Sequence, residues 1–294
     1  MSFVPIVEPS RIPVGDWFQG VVDWIIDNLG PLLTVIDDGL NGLITGLSSG
    51  LNAVQPLLLA VILAALAWLL RGWMFGLFSL VALLFIQSMR LWDLTMDTLA
   101  LVVISSVIAM LIALPTGVLA ARSSSASQVI RPILDLMQTM PAFVYLIPSI
   151  FFFSIGVVPG AVSTIVFSMP PGVRLTELGI RQVDAEMVEA GHAFGAPPMK
   201  ILTRIQIPLA MPTIMAGVNQ VIMLALSMVV IAGMVGAGGL GAEVFEGITR
   251  LDLPKGFEGG VAVVILAIYL DRLTGAFAER SAVARARKRT AAGR

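Results

Sequence analysis

Apolar residues along this chain come in long, nearly uncharged runs rather than in the alternating or amphipathic patterns of a soluble domain. A bilayer core takes about 20 mostly apolar residues per helix. Seven runs meet or approach that length, at residues 54–70, 73–89, 94–121, 133–158, 160–173, 208–235 and 260–277, and each is expected to form a transmembrane helix. Only Arg71 and Gly72 separate the first two, which predicts a tight helical hairpin. Trp68, Trp73 and Trp92 lie near run ends, where interfacial anchors belong. The fourth run carries Asp135, Gln138, Pro141 and Pro148, so it should face protein or water rather than lipid. The fifth follows a Val-Pro-Gly turn and contains Pro170 and Pro171.

Residues 1–53 differ in kind. Trp17, Val21, Trp24, Ile25 and Asn28 recur at helical spacing among Asp16, Asp23, Asp27, Asp37 and Asp38, which predicts an amphipathic helix on the outer membrane surface. The first 15 residues lack the basic-then-apolar order of a cleavable signal, and none is expected.

Composition agrees with the runs. Hydrophobic residues make up 57% and charged residues 13%, against about 25% charged in soluble domains. A net charge of −1 gives no basis for nucleic-acid binding, and without cysteine there is no disulfide, thiolate metal site or cysteine nucleophile. Cytoplasmic loops carry the excess of Lys and Arg. With the N-terminus outside, fourteen such residues fall on cytoplasmic segments and four, Arg11, Arg90, Arg250 and Lys255, outside. The C-terminus is then expected in the cytoplasm.

The longest hydrophilic stretch between runs, 174–207, lies on the cytoplasmic side of that topology and reads as two short helices. Asp184 is placed to cap the first, with Glu186 near the positive end of its dipole. Met187, Ala190 and Phe194 share one face. Gly195 is suited to end the helix in a left-handed conformation, and Pro197 and Pro198 to start a second that carries Lys200 and Arg204 up to Pro208. An elbow tethered at both ends to membrane helices can pass force to both.

Glu189-Ala190-Gly191, then Gly195, then Ile205-Gln206-Ile207-Pro208, resembles the EAA loop of ABC importer permeases, with every spacing kept. The departures are Gly191 for the second alanine and Ile207 for leucine. QTMPAFVYLIP from Gln138, MPPGVRLTELGI from Met169 and the run from Pro208 to Gly241 resemble the glycine betaine/proline permeases in particular. The resemblance implies an all-α integral membrane protein in a bacterial plasma membrane. Its parts would be an N-terminal segment 1–53, a peripheral hairpin 54–93, a five-span type I importer core 94–280 with the coupling loop 174–207, and a basic tail 281–294. It implies as cargo glycine betaine, proline, choline or a similar compatible solute. It also implies a second permease subunit, two cytoplasmic ATPase subunits that bind the ATP and magnesium, and an external substrate-binding protein. Glu189, Ala190, Gly191, Gly195, Ile205 and Pro208 would form the ATPase-coupling loop.

The chain has no GxxxxGK[ST] loop, so ATP hydrolysis is expected in the partner and no cofactor in this chain. Gly236 to Gly241 fits GxGxxG but follows an apolar run instead of a strand, which favours an outer turn or a close helix approach over a dinucleotide site. His192, the single histidine, lacks partners for a metal site or a triad. Gln138, Met140, Asn219 and Gln220 are candidate pathway residues, with Met137, Met211, Met215 and Met223 expected to pack. No aromatic cage for a quaternary ammonium is evident, since every tryptophan lies at or before position 92. Arg285 to Arg289 suit anionic lipid heads or serve as a topology signal. An amino acid as cargo, or an ATP-independent secondary transporter, are the alternative functions; a membrane enzyme fits least.

Overall fold

The computed structural model describes residues 13–279, with side chains to 276; Arg11 and the basic tail 281–294 lie outside the described residues. The described residues form twelve α-helices and no strand. In chain order they are α1 (Val14–Ala53), α2 (Pro56–Arg71), α3 (Trp73–Ser88), α4 (Trp92–Arg122), α5 (Ser124–Thr139), α6 (Ala142–Phe153), α7 (Val157–Arg181), α8 (Ala185–Ala193), α9 (Pro198–Ile201), α10 (Ile207–Ala232), α11 (Gly239–Thr249) and α12 (Leu253–Glu279). A π-helical turn, Leu202–Gln206, joins α9 to α10, and a 3₁₀ turn, Gly233–Val235, closes α10.

Three helical stretches are long and apolar enough to cross a bilayer: α4, the unbroken Pro198–Val235 and Leu253–Ala276 of α12. Two bent pairs, α1 with α2 at 105° and α5 with α6 at 100°, raise the number to five if each is one span. The other two expected spans fall on α3, which has 16 residues, and on α7, whose last turns carry Arg174, Glu177 and Arg181. The run 133–158 is therefore not one rod. Pro141 forces the preceding Met140 into extended backbone, and the chain turns there.

The core forms where α7 packs along both α4 and α10. Val102, Ala109, Ala113, Val173, Val221 and Val229 are buried together, small or β-branched side chains that let helices approach closely. α12 covers α10 and touches α2, where Tyr269 donates a hydrogen bond to the Leu63 carbonyl at 2.9 Å.

Residues 14–53 form a single helix of 40 residues, about 60 Å long. It lies against α4, α6 and α7, burying Leu40 and Ile44 and leaving Trp17, Val21 and Trp24 exposed. Near its C-terminal end, Ser48 and Asn52 both donate to the Asp97 carboxylate of α4, which pins it to the core.

The glycine-rich stretch after α10 is a turn and a close approach between helices, with no strand before it. Gly236, Gly238 and Gly239 all have positive φ, and a Cβ on Gly233 would collide with the backbone of Gly241. The Leu240 N–H donates to Thr98 Oγ1 of α4 at 2.8 Å, fixing the start of α11 on the core.

Candidate functional site: the elbow and the cavity above it

The elbow begins where α7 ends. Asp184 caps α8, its carboxylate accepting from the Glu186 N–H at 3.1 Å. At the other end Gly195 has φ +72°, its N–H donates to the His192 carbonyl at 2.9 Å, and the Ala196 N–H reaches the Gly191 carbonyl at 3.1 Å. That pair of bonds is a Schellman motif, which a residue without Cβ enters at least cost.

The second half of the elbow is not a separate helix. The Ile207 N–H bonds to the Leu202 carbonyl, one residue further back than in an α-helix, and the chain then runs through Pro208 into α10. Pro208 has no N–H to give, and the widened turn takes up the irregularity without stopping the helix.

The two faces of α8 differ. Inward, Gly191 is buried so closely that a Cβ would lie 3.0 Å from Ile205 Cδ1. A cavity of about 260 Å³ lies between the elbow and the ends of α4 and α7, with Arg122, Arg181, His192 and Gln206 in its walls. Outward, Glu189 and Ala190 are exposed, Met187 is 49% exposed and Phe194 91% exposed. The face shared by Met187, Ala190 and Phe194 therefore points away from this chain. Of the expected coupling residues, the structure joins Gly191 to Ile205, and sets Glu189, Ala190, Gly195 and Pro208 at the surface.

Above the elbow, α5, α7 and α10 enclose an open cavity of about 460 Å³. Gln138 and Gln220 both line it, with Arg131, Asp135, Arg174 and Glu177. The other two pathway candidates lie elsewhere. Met140 packs on the Tyr145, Leu146 and Met228 cluster. Asn219 Nδ2 donates to Asp271 Oδ1 at 2.9 Å and its Oδ1 accepts from Thr274 at 2.6 Å, a bond set between α10 and α12.

Sequence reasoning missed the group that joins cavity to elbow. Glu177, 3% exposed, accepts from Ser127 at 2.8 Å and from Arg131 and Arg181 at 3.0 Å each. Arg181 also donates to the Ala120 carbonyl at 2.8 Å, so one carboxylate ties together α4, α5 and α7. Beside it Arg174 pairs with Asp135 across α7 and α5. Apart from Arg181, four residues from Glu177, these partners lie 39 to 61 positions apart and leave no local pattern; the available signal was ionisable residues flanking apolar runs.

An all-helical apolar core, with an exposed elbow between two of its helices and a polar cavity against the same helices, matches an importer permease of the ABC type. The chain belongs to the family described as binding-protein-dependent transport system inner membrane component, whose model matches residues 113–283. It is 49% identical to the glycine betaine transport system permease protein OpuAB of Bacillus subtilis, over 90% of this chain and 94% of that protein. Identity is 47% to the glycine betaine/proline betaine permease ProW of Escherichia coli, over 91% of this chain and 75% of the relative. It is 45% to the glycine betaine/carnitine permease GbuB of Listeria monocytogenes, over 92% of this chain and 97% of the relative. Among solved structures, the inward-facing MetNI methionine ABC transporter matches with a TM-score of 0.59 at 23% identity, over 64% of this chain and 94% of that one. That likeness places the shared helical core in the type I importer fold.

Proposed function

We propose that this chain forms one half of the translocation pathway of an ATP-driven importer for glycine betaine or a closely similar compatible solute. Two copies would meet around a common axis, each elbow seated in a groove of a cytoplasmic ATPase subunit, and an external binding protein would deliver the solute. ATP and magnesium would be held by the ATPase and no cofactor by this chain. The N-terminus would lie outside the cell and the C-terminus in the cytoplasm, as the fourteen-to-four distribution of Lys and Arg favours.

The observation that carries the coupling role is the outward face of α8. A phenylalanine that is 91% exposed beside an exposed methionine and glutamate is costly to leave in water and suits a partner's groove. The cargo class rests on relatives named for glycine betaine, proline betaine and carnitine. Gln138 and Gln220, together on the wall of the 460 Å³ cavity, are the pathway-lining residues favoured by the geometry.

Phe194→Ala separates this role from folding. Because the side chain makes almost no contact within the chain, the thermal midpoint of the purified permease should hold. Its affinity for the co-expressed ATPase should fall about tenfold or more, as removal of an aromatic anchor does. Undiminished ATPase binding and betaine uptake by that variant would refute the elbow as the docking element. Betaine uptake by the chain alone, driven by an ion gradient, would refute ATP coupling.

A further inference from the structure

The cavity between α5, α7 and α10 carries more charge than a passage for an uncharged solute calls for. Its walls hold three guanidinium groups, Arg131, Arg174 and Arg181, against two carboxylates, Asp135 and Glu177. These charges fall into two sets. Glu177 is buried and takes hydrogen bonds from three side chains, so it is committed to holding helices together. Asp135 and Arg174 are paired with one another, both side chains are partly exposed to the cavity, and Arg174 Nε is a buried donor that makes no hydrogen bond. Gln138, one turn beyond Asp135 on α5, and Gln220 of α10 line the same space.

We propose that the Asp135–Arg174 pair is a partner-exchange site for a zwitterionic solute in transit, the carboxylate of the solute taking the guanidinium of Arg174 and its cationic end lying against Asp135. An isolated charge in a helical membrane protein is costly, so a pathway that must stand empty between cycles cannot leave one uncompensated. An Asp–Arg pair is neutral when empty. A zwitterion bearing one charge of each sign replaces both halves of the pair at once, and at no stage is a charge left without a partner. The planar guanidinium fork matches a carboxylate in two-point geometry. A quaternary ammonium has no N–H to donate, so its attraction to Asp135 is charge alone and needs no fixed direction. The surplus guanidinium on the cavity wall sets a preference: a solute with a carboxylate gains from it, and a solute carrying only positive charge is opposed by it.

This inference rests on the compatible-solute reading above. Its test is uptake of glycine betaine and of choline by proteoliposomes holding the complete importer. One binding protein serves every arm, so any change in the ratio of the two uptakes belongs to the permease. Arg174→Gln should lower the betaine-to-choline ratio about tenfold, the worth of one charge-assisted bond. Asp135→Asn should raise it, because choline depends on that carboxylate alone. A strut between α5 and α7 would instead slow both solutes together. Unchanged ratios in both variants, with betaine uptake intact in the wild type, overturn the site and leave the cargo reading standing. A wild-type complex that moves neither solute refutes the cargo reading and the site with it.

Discussion

Two glycines four residues apart in the elbow have opposite requirements. Gly195 is open on all sides, with nothing within 4 Å of a built Cβ, yet its φ of +72° strains any residue that has one. Gly195→Ala should therefore cost about 1 kcal/mol of local stability through the backbone alone, and loosen the joint between α8 and α9. Gly191 has ordinary helical backbone and a crowded side, where a methyl group would lie 3.0 Å from the tip of Ile205 and 3.2 Å from Ile201 Cγ1, so both side chains would have to give by a few tenths of an ångström. Gly191→Ala, the residue of the general EAA pattern, should be close to neutral in thermal melts, since a gain in helix propensity of up to about 1 kcal/mol offsets the crowding. A large loss in Gly191→Ala, or none in Gly195→Ala, would contradict the packing described. Gly195 was legible in sequence because a left-handed helix end has a residue signature. Glu177 was not, because only Arg181, four residues on, is its neighbour in sequence, and Ser127 and Arg131 reach it from 50 and 46 positions away.

Among the elements, those ending at caps and glycines were readable, and those set by tertiary contact were not. Asp184 and Gly195 bound α8 as expected. The break between α5 and α6 and the fusion of α9 with α10 were missed in opposite senses: Pro141 stops a helix, whereas Pro208 sits in one, just after the π turn. The hairpin of α11 and α12 gives a pH prediction. Glu246 accepts from Lys255 at 2.8 Å and pairs with Arg250 at 2.7 Å, and the Lys255 hydrogen bond, followed by these charges, holds its carboxyl below the usual carboxylate range. A group whose folded pKa is lowered stabilises the fold above its ordinary value and loses that contribution as pH falls through the lowered one. The protection factors of amides across residues 243–255, which are corrected for the intrinsic pH dependence of exchange, should accordingly fall on acidification below the ordinary carboxylate range, and Glu246→Gln should remove that fall. Equal acid sensitivity in both proteins would assign it elsewhere.

For the whole molecule, hydrophobic runs were enough to give a helical membrane protein, and the spacing of the elbow was enough to give its family. What they left out is how α1 lies across the bundle, since a mixed face of tryptophan and aspartate carries no direction of its own. Orientation can be read directly, because the absence of cysteine makes the chain a ready background for single thiols. In sealed right-side-out vesicles an impermeant maleimide should label Leu251→Cys, at a 91% exposed hairpin tip, and not Phe194→Cys, which should react only once the cytoplasmic face is opened. The reverse pattern would invert the topology. The stretch Pro198–Val235, 38 residues and about 57 Å of continuous helix, has a mechanical consequence. On the docking role proposed for Phe194, α8 would be an arm and this stretch its shaft, and a push on the arm would turn α10 against the α7 and α12 surfaces it packs on. Gln220 lies four turns of helix beyond the π turn and would turn with it, so the wall of the proposed pathway would be re-aimed by a motion begun at the elbow.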